Sequence, residues 1–278
     1  MTAILLALAA SACWGVADFT AGLKSRSLSL LSVMVVLQIA GFAVIGPVVA
    51  IRWDGPPNAL FALYAGLAGI SGFVGVAAFY RGLAIGTMGV VAPITATSPL
   101  IPVVGGLVRG ERPSSLQYGG MVLALGGIIL ASRDPAAERP GRFAVGAGLG
   151  VLSSVCFGLA LLGLNEASKS DPYWGTLVFR LTTTALVLVA ILAVRPSFAG
   201  TRGALPLLAA VGALEAIGII LYSVASTRGL LSVVAVLSSL YPVLIVVLAR
   251  IVVKERLTRV QLTGASAALA GAALLSAG

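Results

Sequence analysis

Ten apolar runs, separated by short charged gaps, govern what this chain can fold into. They fall at about 3–23, 30–51, 59–80, 87–108 and 115–132, then 143–165, 173–194, 204–226, 230–250 and 258–276. About 20 consecutive apolar residues, wound as a helix, cross ~30 Å of hydrocarbon. Barrel strands are ~10 residues of alternating polarity, and these runs are longer and apolar throughout. The pattern predicts an all-α integral membrane protein with ten transmembrane helices. Composition agrees. Of 278 residues 59% are hydrophobic and 10% charged, against ~25% charged in soluble domains. Too few charges remain to coat a water-facing surface.

The net charge is +9, which in a soluble protein would suggest nucleic acid. Here the basic residues sit in the gaps, where they fix topology, so no nucleic-acid partner is expected. The chain has no histidine, which removes the commonest metal ligand and the usual near-neutral acid–base group. Cys13 and Cys156 both lie in apolar runs and read as small buried residues. No metal, cofactor or disulfide framework is expected. Ala10-Ser11-Ala12 before Cys13 has a small-x-small cleavage pattern. No Lys or Arg precedes it and the apolar run continues to about Leu23, so the segment reads as the first span.

The two halves of the sequence repeat. Glu111, Arg112, Ser114, Gln117 and Gly120 match Glu255, Arg256, Thr258, Gln261 and Gly264 at an offset of 144. Val90, Val91, Ala92, Thr95 and Pro99 match Val233, Val234, Ala235, Ser238 and Pro242 at 143. Ser11, Cys13, Gly15 and Ala17 match Ser154, Cys156, Gly158 and Ala160 at the same offset. The expected units are 1–133 and 143–278, joined by a polar linker at 134–142 rich in charge and proline. Five spans is an odd number, so the second unit enters from the opposite side. The halves are then two inverted five-helix repeats, an architecture that places a binding site near mid-membrane between them.

With Trp14-Gly15, Phe179-Arg180-Leu181, the two Glu-Arg-x-[Ser/Thr] turns at 111–114 and 255–258, and Pro99 and Pro242 ahead of those turns, the chain resembles the drug/metabolite transporter (DMT) superfamily, EamA type. The resemblance covers the whole chain. It implies a multi-pass protein of a cell membrane, of the bacterial inner-membrane kind, that exchanges or exports small metabolites. The Glu-Arg turns read as helix ends, with Ser114 and Thr258 capping the next helix; a gating salt bridge is the other reading.

Small residues four apart, Gly120/Ala124 and Gly264/Ala268, suit close helix contact in lipid. The fifth and tenth helices are therefore scaffold, or the contact of a homodimer. Gly66, Gly69, Gly72 and Gly75 form one face of the third span, which should pack tightly on a neighbour. The fourth span carries Pro93, Thr95, Thr97, Ser98, Pro99 and Pro102; the ninth carries Ser232, Ser238, Ser239, Tyr241 and Pro242. Hydroxyls beside mid-span prolines suggest a water-accessible cavity, or kinks satisfied by local back-bonding. Trp14, Phe79, Tyr80 and Tyr222 would supply aromatic walls, or belong to the interfacial belt.

Ionisable residues inside spans are costly and usually mark function. Glu215 sits near the centre of the eighth span, Arg180 about two turns into the seventh, and Asp18 one turn after Trp14 in the first. Glu166, at the end of the sixth, is interfacial. Gln38 stands at the repeat position of Arg180 within one residue. The repeat position of Glu215 falls near Phe73, so this acid breaks the symmetry of the repeat.

The expected cavity residues are Trp14, Asp18, Tyr80, Thr95, Ser98, Arg180, Glu215, Tyr222, Ser238 and Tyr241. Glu215 with Arg180 is the expected proton-coupling pair, with Asp18 a lesser candidate; a buried structural pair is the alternative. No phosphate loop of the form G-x-x-x-x-G-K-[ST] occurs, so ATP does not couple directly. The function expected is secondary active transport of a small metabolite, such as an amino acid or related amphipathic compound, coupled to protons or exchange, by alternating access. A passive facilitator and a membrane-embedded enzyme are the competing readings; an enzyme would need a nucleophile, metal or acid–base cluster that the sequence lacks. On topology, the gaps after odd-numbered spans hold twelve Lys and Arg and the others five. The positive-inside rule then puts both termini outside the cytoplasm, whereas the resemblance implies both inside.

Overall fold

A computed structural model describes residues 1–278 except 26, 53–54, 86–90, 92–93, 133–142, 249–250, 253 and 255–257. The linker at 134–142 and the Glu255-Arg256 turn thus lie outside the described residues. Among the described residues the fold is all-helical, with no strand. The helices are α1 (Thr2–Ser25), α2 (Leu30–Arg52), α3 (Ala59–Ile85), α4 (Leu100–Val108), α5 (Ser115–Ala131) and α6 (Phe143–Ser168). After them come α7 (Pro172–Val194), α8 (Thr201–Ser226), α9 (Leu231–Ser238), α10 (Tyr241–Leu248) and α11 (Arg259–Ala277). Seven of these, α1–α3, α6–α8 and α11, are long and apolar enough to cross a membrane. The helix α5 is apolar but 17 residues long.

The fourth and ninth runs are broken, and proline is the physical reason. Residues 96–99 form a turn in which Thr97 N–H donates to Ile94 O (3.1 Å) and Ser98 N–H to Thr95 O (3.0 Å). The ladder has tightened from four-residue to three-residue spacing ahead of Pro99. In the ninth run Pro242 has no N–H for the Ser238 carbonyl. The chain turns at 239–240, with Leu240 N–H donating to Leu237 O (3.3 Å), and restarts as α10.

Helix ends are capped by the residues that the repeat pairs. Ser114 opens α5 and Thr258 opens α11, each in a reciprocal capping box with Gln117 or Gln261. Asp171 caps α7 by accepting from Tyr173 and Trp174 N–H, both at 2.8 Å.

The main helix contacts run between the first and second halves of the chain. α1 packs on α8, α9 and α10; α2 on α7 and α8; α3 on α6 and α7; α4 on α6 and α9; and α5 on α11. In lipid, apolar helices gain no hydrophobic drive toward each other, so close packing has to hold them. Glycines allow it. A Cβ on Gly127 would lie 2.3 Å from the Ala268 nitrogen, and one on Gly264 2.3 Å from the Ala131 nitrogen. The small-residue faces of α5 and α11 are thus occupied by each other, which leaves a homodimer only their outer faces. On α3, Gly69 meets Thr182 and the Phe179 carbonyl, and Gly75 meets Phe157 and Cys156. Ser71 donates across the same interface to Cys156 O at 2.9 Å.

Candidate functional site

The halves enclose a cavity of about 220 Å³ in the middle of the bundle. Its volume falls below the ~300–1,000 Å³ of sites for drug-sized ligands. Helices α1–α3 and α6–α8 and the two broken runs contribute. α1 supplies Trp14 and Asp18, α2 Met34 and Gln38, and α3 Gly72, Phe73 and Val76. The two broken runs supply Ser98, Ser239 and Tyr241. α6 brings Phe157, Ala160, Leu161 and Leu164; α7 brings Phe179 and Thr183; α8 brings Glu215 and Ile219.

The cavity is open at one end and sealed at the other. Asp18, toward the C-terminal end of α1, is exposed. Leu164 and Ile219 are 3% and 4% exposed and belong to a core that includes Ala3, Ala7, Ala10, Tyr222 and Ala225. The sealed end is therefore the end at which α1 begins. Polar contacts cross it. Asn165 Nδ2 donates to Ser226 O at 3.0 Å. The Glu111 carboxylate accepts from Leu231 N–H and, at 3.0 Å, from Ser232 N–H. These are two of the four unpaired donors at the start of α9, and Leu230 gives that helix no side-chain cap. Gly106 makes the contact possible, since a Cβ there would overlap the Glu111 carboxylate. Arg109–Glu166 (2.9 Å), Lys169–Glu166 (2.9 Å) and Arg52–Asp171 (3.6 Å) lie at the same end.

One charged pair lies at the heart of the bundle. Arg180 is fully buried on α7, and its Nη1 donates to Glu215 Oε2 and to Gln38 Oε1, both at 3.0 Å. Thr183 Oγ1 also donates to Gln38 Oε1 at 3.2 Å. Gln38 and Arg180, neighbours in repeat position, thus meet directly. Arg180 Nε and Nη2 have no hydrogen-bond partner among the described residues. The pair is single-toothed. It engages one guanidinium nitrogen, and Glu215 remains 27% exposed at its side chain, on the cavity wall. Gly41 accommodates the guanidinium, because a Cβ there would lie 2.8 Å from Arg180 Cζ.

Of the ten residues expected from sequence, Trp14, Asp18, Ser98, Glu215 and Tyr241 line the cavity. Arg180 stands behind the wall, holding Glu215. Tyr222 is fully buried, donates its hydroxyl to Leu161 O at 2.9 Å, and backs the Trp14 ring at 5.9 Å. Thr95 and Ser238 are buried at the two helix breaks, their hydroxyls without partners among the described residues. Tyr80 lies against Phe79 at 5.7 Å, outside the lining set. The sequence marks Gly72 as a packing position of the third span rather than a lining residue, and it passes over Met34, Val76, Phe157, Leu161 and Leu164. They are apolar residues in an apolar chain and carry no distinguishing signal. Gln38, Phe73, Phe179 and Ser239 stand out in the sequence for repeat symmetry, motif or position, not as lining residues. Cys13 and Cys156 are free thiols.

Residues 1–133 and again 144–277 match the EamA-like transporter family. A solved crystal structure superposes on the chain with a TM-score of 0.82 at 18% identity, covering 99% of this chain and 98% of the other. At that identity the likeness establishes a shared fold. No curated protein matches the chain.

Proposed function

The chain belongs to the EamA-like transporter family, and we propose that it is a secondary active transporter of a small amphipathic metabolite, working by alternating access and coupled to protons or exchange. The single observation that carries this reading is the one-sided central cavity. It lies between the halves, is open at one end and is latched at the other by contacts between them. In this reading the chain has ten spans in two inverted five-helix units. The fourth span is the run ending in α4, and the ninth is α9 with α10.

Inversion supplies two related gates. The gate at the sealed end is formed by the Glu111 clamp on α9 and the packing of α1 beneath it. Rocking the halves about the cavity would break these contacts and expose the site to the other side. Breaks at 96–99 and 239–240 provide hinges where the backbone already lacks a regular ladder.

Glu215 is the coupling acid in this account, and Arg180 its partner. Protonating Glu215 removes the charge that holds Arg180 Nη1, and an unpaired buried guanidinium is costly, about 3–5 kcal/mol by analogy with broken buried pairs. Protonation is thereby tied to the arrangement of α7, α8 and α2, the elements that carry Arg180, Glu215 and Gln38. Uptake of a panel of labelled amino acids, sugars and amines into proteoliposomes under an imposed proton gradient tests the reading. Accumulation above equilibrium supports coupled transport. Equilibration without accumulation favours a passive facilitator, and absence of flux for every solute class rejects transport.

A further inference from the structure

The charges around the cavity indicate what it holds. Asp18 and Glu215 line it, and no other acidic or basic side chain among the described residues does so. Among the described residues the one guanidinium bonded to a lining side chain is that of Arg180, which is fully buried and held by Glu215. With both acids ionised, two negative charges face one positive charge, and the uncompensated one is on Asp18. Asp18 has no hydrogen-bond or ion-pair partner among the described residues. Asp18 faces the open end of the cavity with no fixed counter-charge beside it, so a cation entering from that end meets it first.

Two further features point to a guest. Ser98 and Ser239 are only 7% and 4% exposed, yet both line the cavity and neither hydroxyl is hydrogen-bonded among the described residues. A hydroxyl accepts as well as donates, so both can take an ammonium proton. The walls are also aromatic. Trp14 lies one turn before Asp18 on the same helix face, Tyr241 stands edge-on to it at 6.4 Å, and Phe73 and Phe179 line the same space. Aromatic faces attract ammonium groups and accept apolar bodies.

We propose that the cavity binds organic cations, a protonated amine on an aromatic or branched apolar body, with Asp18 as counter-charge and Ser98 and Ser239 as hydrogen-bond acceptors. An anion would meet Asp18 unopposed, because Arg180 is withheld behind Glu215. Protonation of Glu215 would erase the net negative charge of the site, so a proton and an organic cation compete for it. This narrows the substrate of the transporter proposed above and rests on that reading only for the steps after binding.

The test is calorimetric binding to the purified full chain in detergent at neutral pH, with four probes of one shape. These are phenethylamine, 2-phenylethanol, phenylalanine and 3-phenylpropionate. Phenethylamine should bind about tenfold or more tighter than the neutral alcohol, or at least ~1.4 kcal/mol, and 3-phenylpropionate weakest. Asp18→Asn should abolish the preference for amine over alcohol, and Asp18→Glu should retain it, which separates charge from folding. Equal binding of amine and carboxylate, an Asp18→Asn variant with undiminished preference, or no binding of any probe at millimolar concentration would each overturn the proposal. Flux of an anionic solute without amine binding would overturn it and leave the transporter reading standing. Amine binding without flux of any solute would do the reverse.

Discussion

Arg180 and Glu215 show how much the identity of single residues decides here. Charged residues inside spans are rare enough to be found by inspection, and their rarity comes from the cost of holding charge in lipid. What inspection leaves out is who stands around them. Gln38 accepts from both Arg180 and Thr183, and Gly41 provides the space for the guanidinium. Neither role can be read from residue type, since a glycine in a glycine-rich span has many reasons to be there. If Glu215 is the coupling acid, Glu215→Gln keeps the shape, removes the titration and reduces gradient-driven accumulation by about tenfold or more, ~1.4 kcal/mol. Solute exchange at zero gradient should persist in part. Arg180→Lys should damage transport despite the retained charge, because a flexible ammonium stem does not fill the slot beside Gly41 that holds the planar guanidinium between Gln38 and Glu215. Gly41→Ala should weaken accumulation in the same assay, by driving Arg180 from Glu215. Wild-type accumulation by Glu215→Gln across a range of gradients would make the pair a structural one.

Among the elements, the helices are legible in the sequence and their breaks partly so. Apolar runs locate the long helices because nothing but a helix satisfies its own backbone in lipid. Pro99 and Pro242 mark the broken runs, although proline alone does not say whether a helix bends or stops. The Glu111 clamp is not legible. The acid reads as a helix end or as half of a gating salt bridge, while its contacts are backbone donors of a helix some 120 positions later. The only sequence hint is that α9 starts at Leu230-Leu231 with no capping side chain of its own. Removing Glu111 exposes two buried backbone donors, so Glu111→Ala should lower stability by about 1–2 kcal/mol, within the range of lost caps. Thermal unfolding in detergent, followed by circular dichroism, checks it. An unchanged midpoint would show that α9 is capped by other means. The scaffold makes a paired prediction. Gly127→Val forces a side chain into the α11 backbone and should destabilise by about 1–3 kcal/mol. Gly119→Val, on the open face of α5 with nothing within 4 Å, should be neutral. Equal midpoints for the two variants would mean that the α5–α11 contact is looser than described.

For the molecule as a whole, repetition in the sequence carries the architecture. Three matched blocks at offsets of 143–144 point to a site between the halves, and the family match falls in the same two parts. The details of the cavity escape because its walls are made of the residues that fill the rest of the bilayer-facing chain. Orientation also escapes. The charge count puts the open end of this cavity on the cytoplasmic side, and the family resemblance puts it on the other. Reporter fusions at both ends should place the two termini on the same side, and opposite sides would exclude ten spans.

Alternating access requires the two ends of the cavity to open in turn, so the two ends are probed together. Met34 lines the open end and Ile219, 4% exposed, the sealed end. Met34→Cys and Ile219→Cys, each in a Cys13→Ser/Cys156→Ser background that is expected to fold and transport, can be probed with a membrane-impermeant maleimide added to either side of sealed vesicles. Met34→Cys should react from one face only and Ile219→Cys from the opposite face only. A gradient or substrate that raises one rate should lower the other. Labelling of both positions from the same face, or rates that rise and fall together, would contradict it.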